Sequence, residues 1–337
     1  MRSFFRFFVI GAACLLSAKA QTKQLQIYFI DVEGGQSTLI VSPTGGSMLV
    51  DTGWPGLNDR DANRIAAAAK IANVKKIDYV VITHYHTDHV GGVPQLLKQI
   101  KVGAFVDHGP NTENDELAPE GYAAYLQAIG TTRHIVVKPG DTIPIPGIKV
   151  EIVAAAGKAI TSPLPGAGQP NAYCASEPVA PVDPSENAAS LGMMVRYGSF
   201  KFLDLGDLTR RKELPLVCPR NLLGQVDLFL ISHHGFAFSN SKALVDAVHP
   251  RVAVNINSTH KGGDATAWQI VHDSPGLQDL WQLHYSIAAG PEHSSAADFV
   301  ANIDDHSDGH WIKASASADG SFTVVNSRNG FEKTYKK

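Results

Sequence analysis

The sequence is poor in cysteine, in surplus charge and in long apolar runs. It has three cysteines in 337 residues, and Cys14 lies within the first twenty. Beyond that stretch only Cys174 and Cys218 remain, so one intramolecular disulfide is the most the rest of the chain can form. An exported chain would allow that pairing, and the sequence leaves it open. Lysine and arginine total 29 against 32 acidic residues, a net charge of −3. No field of one sign therefore draws the whole chain to nucleic acid, and Arg210-Arg211-Lys212 reads as a solvated helix face. After residue 20 no segment is apolar for long enough to span a bilayer. What is present is a globular composition, 44% hydrophobic and 18% charged, of a length that suits one large α/β domain or two small ones.

The first twenty residues, "MRSFFRFFVIGAACLLSAKA", read as a targeting segment. Arg2 and Arg6 precede an apolar run from Phe7 to Leu16, and Ala18-Lys19-Ala20 supplies a small-x-small cleavage signal. The expectation is a signal peptide over 1–20, cut near Ala20, and one domain over 21–337. That places the mature chain in the periplasm or outside the cell, with no stable membrane insertion and no protein partner predicted.

From Gln24 the pattern alternates between strand and helix signals. "QLQIYFIDV" reads as a strand, and "STLIVSP" with "SMLVDTG" as a hairpin about Pro43 to Gly46. "DANRIAAAAKIANV" is alanine-rich with an acidic start, a helix. "KIDYVVITH" and "VDLFLISHHG" are short apolar runs, hence buried strands. "SLGMMVRYGSFKFLDLGD" is a hairpin about Gly198, "SKALVDAVHP" a helix and "RVAVNIN" a strand. A helix near Ala265 to Val271 and a hairpin about Gly320 finish the chain. This order argues for layered α/β sheets. A Pro-, Gly- and Ser-rich insertion at about 157–190 has no period and reads as a loop over the functional face.

The chemistry concentrates in "THYHTDHVGG", Thr83 to Gly92. Where a strand ends in extended backbone, residues two apart share a side, so His84 and His86 can grip one ion. As the chain turns into a helix, Asp88 and His89 face another. Imidazole and carboxylate suit zinc, and also manganese or iron. Two ions need further ligands from other strand ends. Asp207 follows the strand "FLDLG" and could bridge both ions or cap the next helix. His233 and His234 end another buried strand, and either could close the second site.

These motifs resemble the metallo-β-lactamase superfamily: HxHxDH, then Gly-Asp after a strand, then a late histidine. "FIDVEGGQSTLIVSPTGGSMLVDTG" is similar to the opening of the lactamase-like domain of ComEC-type competence proteins, usually a DVGQGD stretch followed by LIDTG. "ENAASLGMMVRYGSFKFLDLGD" and "ISHHGFAFSNSKALVDAVHPRVAV" resemble later segments of the same domain, and the likeness covers most of Gln24 to Asn257. It implies an αββα four-layer sandwich with the metals at one rim. By the same resemblance, His84 and His86 serve the first ion. Asp88, His89 and His234 or His233 serve the second, and Asp207 bridges. Many members place a third histidine about twenty residues before the Gly-Asp, where Asn187 stands here. His108 could supply a ligand in its place or touch substrate. Glu33 and Gln36 alter the DVGQGD loop, and Asp51 is a candidate support for a ligand histidine.

The expected activity is that of an exported hydrolase that attacks an ester with a metal-activated water, a phosphodiester first. Asp88 and Asp207 are the candidate catalytic carboxylates. Two divalent ions, zinc first, are the expected cofactors, and the substrate is a small-molecule or oligonucleotide ester. His260, after another strand, could bind an anionic group. A β-lactam or lactone hydrolase and an iron-binding redox protein of the same fold are the alternatives.

Overall fold

The structure, a computed structural model, describes residues 24–113, 119–304 and 308–337. The targeting segment expected over 1–20 lies outside them.

Side-chain alternation sets the layers. In the strand Leu25–Phe29, residues Leu25, Ile27 and Phe29 enter one core while Tyr28 enters another. The first three meet Met193, Val195, Phe202, Leu228 and Trp281, all on strands of a second sheet. Tyr28 faces the opposite side with Leu39 and Phe105, under Ile65, Leu96 and Tyr125 of the helices Arg60–Ile71, Val93–Gln99 and Pro119–Ile129. The second sheet repeats the scheme. Met194, Leu203 and Phe229 lie under Leu216, Leu244 and Trp268 of the helices Arg210–Val217, Lys242–Val248 and Ala265–His272. A sheet apolar on both faces must be covered on both, and the outcome is helix, sheet, sheet, helix: the αββα sandwich of the metallo-β-lactamase fold.

The first sheet runs in the order Glu332–Tyr335, Phe322–Asn326, Ile312–Ala316, Leu25–Phe29, Thr38–Val41, Ser47–Val50, Lys76–Val81, Lys101–Asp107 and Arg133–Val136. Its first three strands come from the end of the chain, and Leu25 stands opposite Ala316. The hairpin expected about Gly320 is therefore the outer part of the first sheet. The second sheet runs Val300–Asn302, Asp279–His284, Val252–Asn255, Leu228–Leu230, Phe200–Asp204, Gly192–Tyr197, Lys149–Ala155 and Thr142–Ile143. Its strands Asp279–His284 and Val300–Asn302 go beyond the elements that the sequence pattern predicts.

The segment 157–190 is largely irregular. It holds two-residue strands at Lys158–Ala159 and Gln169–Pro170 and short 3-10 turns at Ala172–Ser176 and Glu186–Ala189. Cys174 is bonded to Cys218, with Cα atoms 5.8 Å apart. Asn171 Nδ2 donates to the carbonyls of Val217 (3.1 Å) and Ala243 (3.0 Å), so the segment is tied to two helices of the second half. Among the described residues no helix is long and apolar enough to cross a membrane.

Within each sheet the strands around the middle are parallel: Ser47–Val50 with Lys76–Val81, and Phe200–Asp204 with Leu228–Leu230 and Val252–Asn255. Their carboxyl ends deliver five loops, beginning after Val50, Val81, Asp204, Leu230 and Asn255. Loops at the carboxyl ends of parallel strands are where α/β folds build sites.

Candidate metal centre

The strand Lys76–Val81 ends before Thr83, and the chain turns into the short helix Thr87–Val90, which carries Asp88 and His89. Gly92 is required by close approach: a Cβ there would lie 2.1 Å from the Thr52 carbonyl oxygen. Without it the ligand loop can pack backbone to backbone on the 51–53 loop, where Thr52 N–H donates to His89 O (2.7 Å) and Gly92 N–H to Gly53 O (3.0 Å). On the opposite sheet His233 and His234 both adopt positive φ, 55° and 51°. Left-handed backbone at a bulky residue costs about 1 kcal/mol or more, and here it puts two consecutive imidazoles at the site.

Asp88, His89, Asp207 and His234 are all buried, with their ligand atoms within 4.8 Å of one another. His89 Nε2 lies 3.3 Å from Asp88 Oδ2, 3.2 Å from Asp207 Oδ2 and 3.2 Å from His234 Nε2. His234 Nε2 lies 3.1 Å from Asp88 Oδ2 and 3.3 Å from Asp207 Oδ2. The same Asp207 oxygen stands 3.4 Å from His233 Nε2 and 3.9 Å from His84 Nε2. His84 Nε2 is in turn 3.0 Å from His86 Nδ1. One carboxylate oxygen thus faces four imidazoles supplied by both sheets.

The donor set fits a divalent cation. Asp51 Oδ2 sits 2.7 Å from His89 Nδ1, and its carboxylate also accepts from Thr83 N–H (2.8 Å) and Thr83 Oγ1 (2.6 Å). A carboxylate on Nδ1 takes that hydrogen and leaves the Nε2 lone pair facing the cluster. Asp207 Oδ1 is buried with no hydrogen-bond partner among the described residues, as expected of an oxygen reserved for an ion.

The electrostatics point the same way. Burial alone would raise Asp88 and Asp207. For Asp88 the charge of His89, the hydrogen bonds of His234 and His89, and the charge of Lys261 outweigh burial and hold the carboxyl well below its ordinary value. For Asp207, His233, His89 and His234 do the same. His89 is held well above its ordinary value, because Asp207, Asp88 and Asp51 outweigh its burial. The centre calls for positive charge. Burial lowers His84 well below its ordinary value and His233 to about 4, so both are neutral and able to act as ligands.

The other expected residues are placed as follows. Asn187 Nδ2 lies 3.4 Å from His233 Nε2, which puts the residue beside the centre. His108 Nε2 lies 3.0 Å from Glu186 Oε2, a carboxylate that also accepts from Tyr85 N–H (3.2 Å) and, through Oε1, from Thr112 N–H (2.6 Å). His108 therefore braces the 186 turn against the ligand loop. Gln36 N–H donates to Asp88 O (3.1 Å), and its Nε2 donates to the buried Asp204 carboxyl (3.1 Å), which burial pushes up to about 7. Glu33 turns away to Arg60 (2.6 Å) and Arg64 (3.1 Å). Asp207 does not cap the helix Arg210–Val217, since Thr209 holds that position.

His260 is exposed in its loop, and its neighbour Lys261 reaches inward instead. Lys261 Nζ donates to Asp88 Oδ2 and lies 4.8 Å from the centroid of the Trp54 ring. Sequence reasoning missed Lys261, as it did Glu186 and Glu113, whose Oε2 is 3.1 Å from His86 Nε2. A lysine beside the singled-out histidine, in a loop after a buried strand, was the available signal.

Comparison with known proteins agrees with this geometry. Residues 30–174 match the model of the metallo-β-lactamase superfamily. A UPF0173 protein of Pyrococcus abyssi is 26% identical over 241 residues, covering 70% of this chain and 86% of that protein. A UPF0173 metal-dependent hydrolase of a Polaromonas species is 29% identical, covering 49% of this chain and 57% of the relative. ComE operon protein 3 of Bacillus subtilis is 22% identical, covering 75% of this chain but only 32% of that longer protein. With its αββα layers and its cluster of two aspartates and two histidines at the rim, the chain has the fold of the metallo-β-lactamase superfamily, whose model its residues 30–174 match.

Proposed function

We propose that the protein is an exported metal-dependent hydrolase of phosphodiesters. The observation that carries the hydrolase reading is the buried Asp88–His89–Asp207–His234 cluster, whose donors fit a divalent ion. A relative bearing the name metal-dependent hydrolase supports it. Zinc suits two imidazoles and two carboxylates, and manganese or iron is compatible. His84 and His233, which face the same Asp207, and His86 beside His84 are the donors for a second ion.

Such ions supply Lewis acidity and a water acidic enough to react at neutral pH. The chain's own residues do the rest. Asp88 and Asp207, held ionised, would help to hold the ions and orient the water. The water oxygen bonds to phosphorus, the P–O ester bond breaks, and the proton passes to the leaving oxygen. Lys261, poised on Asp88 and steadied by the Trp54 ring, offers N–H donors to the anionic phosphoryl oxygen. That cation favours an anionic diester over a neutral lactone. Export is supported by the pattern of residues 1–20 and by the Cys174–Cys218 bond, which persists in oxidising compartments.

The test uses the chain from residue 21, analysed for metal and assayed against bis-p-nitrophenyl phosphate, DNA, a lactone and a β-lactam. Phosphodiester cleavage is expected, lost with EDTA and restored by zinc or manganese. Robust β-lactam turnover without diester cleavage would overturn the reading.

A further inference from the structure

Beside Asn187 the irregular segment 157–190 and the helix Arg210–Val217 flank an open cavity of about 470 Å³. Its walls include Val179, Val182 and Phe238, which are 94%, 71% and 51% exposed. Nine large apolar side chains are exposed among the described residues, and three of them line this one cavity. Clustered apolar exposure of this kind marks a binding surface rather than ordinary scatter.

Two of the lining residues also contact His233 of the metal centre. The Phe238 ring packs on the His233 ring, with centroids 4.6 Å apart, and Asn187 touches His233 Nε2. Phe238 is also stacked on Phe236, with rings 11° apart at 5.2 Å. The walls are held in place. Arg211 donates to Ala180 O (3.1 Å), the Glu177 carboxylate accepts from Ala243 N–H (2.9 Å), and Cys174 is bonded to Cys218. Two lining residues carry buried oxygens with no hydrogen-bond partner among the described residues, Asn187 Oδ1 and Thr209 Oγ1. A site with apolar walls and a few unspent polar atoms is the composition of a small-molecule subsite.

We infer that this cavity seats an aromatic arm of the diester, an aryl group or nucleobase stacked on Phe238, while the phosphoryl group lies at the metal centre. The inference rests on the phosphodiester reading and narrows it to small diesters with at least one aromatic arm.

Symmetric diesters test the subsite without prejudging which arm enters it. The affinities of diphenyl phosphate and dimethyl phosphate for the zinc-loaded protein are measured by calorimetry, and hydrolysis of bis-p-nitrophenyl phosphate is followed in parallel. Diphenyl phosphate is expected to bind about tenfold or more tighter. Phe238→Ala and, separately, Val182→Asp should remove most of that preference while zinc content and dimethyl phosphate affinity stay unchanged. Equal affinity of the two diesters, or a preference that survives both substitutions, overturns the subsite while leaving the hydrolase reading intact. If neither diester binds and none is cleaved, the phosphodiester reading fails and the subsite fails with it.

Discussion

At the scale of single residues, Asp51 has the most consequence per atom. Its carboxylate meets His89 Nδ1 and both donors of Thr83, so it sets the tautomer of one ligand and the entry of the ligand loop. Asp51→Asn keeps the size but presents an N–H where His89 needs an acceptor. Metal affinity should fall about tenfold to a hundredfold with the fold retained, read by competition with a coloured chelator. Unchanged affinity would reduce Asp51 to a structural strut. Glu213 gives a second prediction. Burial pushes its carboxyl up from 4.5 to about 7, against the pull of the Ser241 and Asn240 N–H groups that it accepts at 2.7 Å. A raised acid contributes stability in full below its unfolded value, and that stability is lost as pH rises through the folded one. Glu213→Gln abolishes this titration, so the substitution should cost roughly 2 to 3 kcal/mol more at pH 5 than at pH 8. Urea unfolding at the two pH values checks it, and equal costs would show that the carboxyl does not titrate in this window. Such residues also mark how far the sequence can be read. His84, His86, Asp88 and His89 stand within six positions and announce themselves. Glu186, Glu113 and Lys261 reach the same loop from distant segments, and a lone charged residue in a loop carries no period to give it away.

At the scale of elements, strands with a strong alternating or apolar pattern were legible, and so were the helices. Leu25–Phe29 and the Gly198 hairpin declare themselves by which side chains are apolar. Asp279–His284 does not, because Leu280 to His284 are all buried and polar Gln282 and His284 sit among them. There two of the buried polar groups find partners far along the chain. His284 Nε2 meets Asp31 Oδ1 at 2.8 Å, and Gln282 Oε1 accepts from Ser295 N–H at 2.7 Å. The segment 157–190 was legible as a loop but not as an anchored one, since two cysteines do not reveal their separation. Its bond closes a loop across a sequence separation of 44, which stabilises by up to about 4 kcal/mol through the unfolded chain. Replacing both cysteines by serine should lower unfolding stability by about 2 to 4 kcal/mol. The first proteolytic cuts should move into 157–190, with metal content unchanged. Loss of metal along with the disulfide would mean that the loop also shapes the centre.

At the scale of the whole molecule, the centre joins the two sheets by charge rather than by apolar packing. The first sheet contributes Asp88 and His89, the second Asp207 and His234. Below the rim the sheets share one apolar core, from Phe29 and Val81 to Leu228 and Trp281. At the rim, buried Asp88 and Asp207 lie against the same imidazoles and are balanced in part by His89 and Lys261. An ion that binds only the folded arrangement stabilises it by mass action, about 2.7 kcal/mol when its concentration is a hundred times its dissociation constant. For a domain of this size that raises the thermal midpoint by roughly 4 °C. EDTA-stripped protein titrated with zinc should therefore melt progressively higher in one transition, because ligands from both sheets are committed together. Asp207→Asn removes a charge that faces four imidazoles and should abolish most of the shift, although the variant itself stays folded. A midpoint indifferent to zinc, or a zinc effect that survives Asp207→Asn, would show that the two halves do not meet through a shared ion.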